Sequence, residues 1–156
     1  MITKERLMIL MFVLFQISCT EQKIEKYNVY STLKDKILLA KESGQKVKLE
    51  LCNINSFKWD KIIIIPPYST AKMLEKYKLD NTRFVENKLL DSLYLEDKCL
   101  LLFVEKKTIM KYNFMPRVPL DFNYINDTDT IKILSKKMAC EQLYIHNVNN
   151  NLKLVY

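Results

Sequence analysis

Hydrophobic and polar positions recur along this chain in three different rhythms, and each predicts a different element. Over residues 31–43, Leu33, Ile37 and Ala40 return at helical spacing, Thr32 and Asp35 are placed for a capping box, and Gly44 follows as a C-terminal cap. That pattern predicts an amphipathic helix. Residues 47–53 alternate, with Val47, Leu49 and Leu51 on one face and Lys48, Glu50 and Cys52 on the other, as a half-buried strand does. Residues 61–65 do not alternate at all: four consecutive isoleucines follow Lys61, and Pro66 and Pro67 end the run. A strand with no polar face belongs in the middle of a sheet covered on both sides.

The remaining segments fill in around that centre. Ser69 or Thr70 can cap a short second helix with Ala71, Leu74 and Tyr77 turned inward. Residues 80–97 are rich in leucine without a clean period and support no assignment. Residues 99–105 form another apolar strand, and residues 108–115 are its hairpin partner across Lys106 and Lys107, a pair poorly suited to a primed turn. Pro116 and Pro119 break the chain, and residues 121–130 are polar loop. Residues 140–146 and 152–156 read as a closing hairpin around the asparagine-rich turn 147–151. The expectation is one α+β domain over residues 31–156, a mostly antiparallel sheet with one or two helices packed on one face.

Composition narrows the function. With 49% hydrophobic and 28% charged residues, the 156-residue chain has the make-up of an ordinary globular domain rather than of a disordered tail. Gly44 is its single glycine, so glycine-rich phosphate loops and dinucleotide turns are excluded. The net charge of +7 would suit a polyanion, yet the lysines are scattered singly along the chain, which favours a solvated basic surface and no nucleic-acid partner.

The N-terminal residues change the picture most. Lys4 and Arg6 precede a run, 7–17, that is apolar except for Gln16; Ser18 and Cys19 follow, and then a polar stretch. A charged n-region, a short h-region and a small residue make a cleavable secretory signal, and the run is too short for the roughly 20 apolar residues of a spanning helix. Phe15, Gln16, Ile17, Ser18 and Cys19 together resemble the lipobox of a bacterial lipoprotein, with Gln16 standing where an aliphatic side chain is usual. The resemblance implies a signal at residues 1–18, lipid on Cys19, a tether over residues 19–30, and a location on a membrane outside the cytoplasm. Thr20, in place of the aspartate that retains many such proteins at the inner membrane, leans toward the outer one. The partner so implied is the membrane, through the lipid on Cys19.

Trp59, Asp60 and Lys61, the isoleucines, and then Pro66, Pro67, Tyr68, Ser69 and Thr70 also resemble a segment of small uncharacterised bacterial lipoproteins, in which Trp-Asp opens a hydrophobic strand and Pro-Tyr closes it before a helix. No activity comes with that likeness. Trp59, Asp60 and Tyr68, at the two ends of one strand, form a candidate recognition surface; the plainer account makes Trp59 a core aromatic, Asp60 a hydrogen bonder at the strand's start and the prolines turn formers.

Constellations for catalysis are few. His146 is the only histidine, no paired cysteine or histidine spacing of a zinc site occurs, and six steps of straight strand would put Cys140 about 20 Å from His146. Asn123, Asn126, Asp127 and Asp129 have oxygen ligands on a loop but lack the glycine and terminal glutamate of a calcium loop. Neither a metal nor a cofactor is expected. Beyond Cys19 stand Cys52, Cys99 and Cys140, an odd number in a domain long enough to fold without a crosslink, so no structural disulfide is expected and Cys99 reads as a buried small hydrophobe. The sequence thus points to a non-catalytic module that binds an envelope protein or small ligand, with a small envelope hydrolase or an inhibitor or immunity-type lipoprotein as alternatives.

Overall fold

A computed structural model describes residues 23–94, 97–122, 131–148 and 151–155. The chain is α+β. Its elements run β1 (Glu25–Lys26), α1 (Val29–Ser43), β2 (Val47–Lys48), a 3-10 turn (Leu51–Asn53), β3 (Lys61–Ile65), α2 (Ala71–Glu75), α3 (Arg83–Lys88), a second 3-10 segment (Leu90–Tyr94), β4 (Lys98–Glu105), β5 (Thr108–Pro116), β6 (Leu120–Asp121), β7 (Lys132–Ser135), α4 (Lys136–Glu141), β8 (Tyr144–Val148) and β9 (Asn151–Val155). A five-stranded sheet has the order β1-β5-β4-β3-β7 and a four-stranded sheet the order β2-β8-β9-β6. Among the described strand pairs only β1 with β5 and β6 with β9 are parallel, so the sheets are mostly antiparallel as expected.

The isoleucine run sits where its lack of a polar face requires. β3 lies between β4 and β7, and Ile62, Ile63, Ile64 and Ile65 are all fully buried. Because successive side chains point to opposite faces, the run feeds two cores. Ile62 and Ile64 join Leu101, Phe103, the α1 residues Leu33 and Ile37, and the second sheet's Ile145 and Leu154. Ile63 and Ile65 join Leu100, Leu102, Leu74 of α2 and Val85 of α3. At roughly 1.5–3 kcal/mol for each fully buried aliphatic side chain, these four residues are a large share of what holds the domain together. Helices therefore cover both faces of the central sheet rather than one, because β4, like β3, has no polar face to leave in water.

Four local expectations change. Residues 24–30, expected as part of a tether, belong to the folded domain: Ile24 and Val29 are buried, and β1 extends the sheet beside β5. A chain that adds backbone hydrogen bonds to an open sheet edge and buries two aliphatic side chains has no reason to remain a linker. Helix α1 begins at Val29 and is capped by Asn28, whose Oδ1 accepts the Ser31 N–H at 3.3 Å, while Gly44 closes it at φ 65° as expected. Residues 47–53 keep their buried alternation, but strand pairing stops after Lys48 and the chain coils into the 3-10 turn. Residues 80–97, unassigned by pattern, hold α3 and the second 3-10 segment.

One more change decides the cysteines. Residue 140 lies on α4 rather than on a strand, since the Ser135 hydroxyl accepts the Met138 N–H and starts a helix through Lys136, Lys137 and Met138. Docking of α4 against the first 3-10 turn brings the Cα atoms of Cys52 and Cys140 to 5.1 Å, inside the roughly 7 Å limit for a bridge, and the two form a disulfide. The expectation of three free thiols is overturned. Cys99 alone of the described cysteines stays free, buried on β4 as its apolar neighbours suggested.

Candidate functional site

The five-stranded sheet has two ends of different chemistry. One is the hairpin end, where the two-residue turn Lys106 and Lys107 joins β4 to β5, pairing Glu105 with Thr108. β3 starts there with Lys61 opposite Val104, and β7 finishes there with Ser135 opposite Lys61, so α4 starts there as well.

Asp60 ties this end together. Its carboxylate accepts the Lys106 N–H at 2.6 Å, its carbonyl accepts the Lys136 N–H at 2.7 Å, and its own N–H donates to the Val104 carbonyl at 2.9 Å. Lys61 Nζ donates to the Lys106 carbonyl at 2.8 Å. These bonds explain how a lysine holds the turn: Lys106 has φ 55°, a left-handed conformation that costs a non-glycine residue about 1–2 kcal/mol, and hydrogen bonds on both of its backbone groups offset that cost.

Trp59, one residue earlier, is only 3% exposed. Its indole N–H donates to the Ile54 carbonyl at 3.0 Å, its ring meets Phe103 edge-on, and Lys136 Nζ lies 4.9 Å from its centroid. Trp59 is thus a core aromatic and Asp60 a hydrogen-bonding clamp, the plainer of the two accounts for each.

Tyr68 lies at the other, proline end, where Ile65 pairs with Leu100 and Lys98 with Pro116. The five-residue strand between puts it roughly 17 Å or more from Trp59, so the three candidate recognition residues do not converge. Tyr68 is 56% exposed, at φ 59°, with its N–H donating to the Leu93 carbonyl at 2.9 Å. The same end carries Val118, 81% exposed, on the rim of a shallow cavity of about 460 Å³ lined by Asp97, Pro116, Arg117, Val118 and Asp121. Arg117 Nε donates to Asp121 Oδ2 at 2.8 Å, and its N–H to the Asp97 carbonyl at 2.8 Å. Pattern reading missed this cavity because its residues come from turns around Pro116 and Pro119, which announce a break in the chain and nothing more.

The nucleophile candidates lose their support among the described residues. Cys52 and Cys140 are joined to each other, and burial pushes the Cys99 thiol up to about 12, with the Asp121 carboxylate adding to the effect. A thiol protonated throughout the physiological range is no nucleophile. His146 stands on β8 opposite Lys153. No group of three or more His, Cys, Asp or Glu among the described residues is placed to hold a metal ion, and residues 123–130, with the acidic loop, lie outside them, as does Cys19. No described helix is long and apolar enough to cross a membrane. No family model matches the chain, and neither a curated protein nor a solved structure matches it.

Proposed function

We propose that the chain is a bacterial lipoprotein, anchored outside the cytoplasm by lipid on Cys19, whose domain is a non-catalytic binding module of the cell envelope. The observation that carries the reading is the order of the N-terminal residues, a charged region, a short apolar run and Ser18-Cys19, followed within five residues by Ile24, the first buried residue among the described ones. A leader that ends so close to a folded domain suits a cut at Cys19.

For the domain's task, Val118 on the rim of the cavity, with Tyr68 exposed at the same end of the sheet, supports binding rather than chemistry. Exposed aromatic and aliphatic side chains around a concavity are what a partner's apolar surface or a small ligand uses, and the charged pair there, Arg117 with Asp121, is already mutually satisfied. The ligand class is an envelope protein or a small molecule with an apolar part. Tyr68 keeps its place in the recognition surface; Trp59 and Asp60 act behind the opposite end.

Metabolic labelling with a fatty acid tests the anchor. The wild-type chain should take up label and sediment with membranes, and Cys19→Ala should do neither. Equal labelling of both chains would overturn the proposal.

A further inference from the structure

We infer that the hairpin end of the five-stranded sheet is a docking face for the anionic phospholipid headgroups of a bilayer, which holds the domain in one orientation with its proline end pointing away. The inference rests on the reading of Cys19 as lipid-bearing and adds to it the face that meets the membrane.

The direction of β1 comes first. It runs parallel to β5, Glu25 opposite Lys111 and Lys26 opposite Tyr112, so the chain reaches the sheet from the end where β5 begins, beside Lys106 and Lys107. Only residues 20–23 separate Cys19 from the buried Ile24. Five residue steps span at most about 17 Å, whereas the eight residues of β4 make the sheet roughly 27 Å long. On so short a leash the hairpin end is the one that can rest on the bilayer.

The charge of that end fits the surface it would meet. Lys58, Lys61, Lys106, Lys107 and Lys136 gather there from three separate stretches of chain, joined through Asp60 and the Lys106 backbone, and Lys23 stands on the incoming chain. All but Lys61 are exposed. The carboxylates nearby are Glu25, Asp60, Asp80 and Glu105; Glu25 is paired with Lys111, Asp60 is engaged by the Lys106 N–H and Asp80 by the Thr108 hydroxyl at 3.5 Å. Lysines held within a Debye length of an anionic leaflet, about 8–10 Å, are attracted to it individually and add up along a face. At the proline end Arg117 is paired with Asp121 beside Asp97, and Lys98 Nζ lies over the Phe114 ring.

The full chain, reconstituted from its own membranes into vesicles of phosphatidylcholine with or without phosphatidylglycerol, provides the test. Amine modification followed by mass spectrometry reads each lysine. Lys106, Lys107 and Lys136 should react about fivefold more slowly when phosphatidylglycerol is present, high salt should remove the difference, and Lys98 should react alike in both. Lys58→Glu combined with Lys107→Glu, two exposed positions, should abolish protection at Lys106 and Lys136 without lowering the melting temperature.

Equal rates in the two vesicles would overturn the docking face and assign these lysines to water or to another polyanion. The mass of the N-terminal peptide reads the anchor separately. Acyl chains on Cys19 with equal lysine rates sink the orientation alone; an unmodified Cys19 sinks the tether and the orientation with it.

Discussion

The two ends of the five-stranded sheet are built from the same strands and differ in what their exposed groups are left to do. At the hairpin end the backbone strain of Lys106 is met by a carboxylate and an ammonium from neighbouring segments, and Lys58, Lys106, Lys107 and Lys136 are exposed. At the proline end another non-glycine residue, Tyr68, takes φ 59°, and its ring is left about half in water, while Val118, after β5 at the same end, is still more exposed. One end presents charge on a braced frame and the other presents exposed apolar side chains, Val118 among them on the rim of a concavity. Charge on a brace suits a diffuse anionic plane, and an apolar rim suits a shaped partner.

Both ends depend on the strands between them, so the largest effect should come from breaking those. Ile63→Asp and Ile64→Asp place an unpaired carboxylate in two different cores, one on each face of β3. Each costs several kcal/mol against a typical total of about 5–15, and each should abolish the cooperative thermal transition. A variant that melts like the parent would mean that its face of the sheet is no core, and the comparison of the two ends would lose its common frame.

The disulfide ranks second. Cys52 and Cys140 are 88 residues apart, and a bridge closing so long a loop contributes about 2–4 kcal/mol, so Cys140→Ser should lower stability by that amount in denaturant titration. Thiol titration of the Cys19→Ala chain, unfolded without reductant, should find one group, that of Cys99. Three would show Cys52 and Cys140 reduced.

A smaller pair of substitutions sharpens the contrast itself. Asp60→Ala removes the acceptor for the Lys106 N–H and should cost about 1–3 kcal/mol, seen as a lower melting temperature, because a hydrogen bond to a charged group is lost from a strained turn. Tyr68→Gly relieves a left-handed φ and exposes no core, so stability should stay level or rise by up to about 1 kcal/mol while partner binding falls. If Tyr68→Gly destabilised more than Asp60→Ala, the tyrosine would be a structural residue and the proline end would need another explanation.

What the sequence made legible follows from which forces are local. The isoleucine run, the helix ended by Gly44, the hairpin over residues 99–115 and the closing hairpin were visible because apolar periodicity and turn residues lie next to one another in the chain. Helix α4 has a local signal in Ser135 and the helix formers Lys136, Lys137, Met138 and Ala139, but the strand-like residues after it carry the stronger pattern, which extends a strand back to residue 140. The disulfide depends on how α4 docks on a 3-10 turn, which no spacing encodes. The basic face was hidden for a similar reason: lysines scattered singly along the chain are gathered only when β3, the β4–β5 turn and α4 meet at one end of a sheet. Trp59 and Asp60 were legible as residue types with two meanings, and burial of the indole together with the Asp60 hydrogen bonds favours the structural one.

Photocrosslinking in intact cells asks most directly whether the two ends do different jobs. A photoreactive side chain in place of Lys107 should give adducts with phospholipid, and one in place of Tyr68 should give a discrete adduct with a protein or small ligand and none with lipid. Phospholipid adducts at position 68, or their absence at position 107 in a chain that remains membrane-bound, would contradict the account.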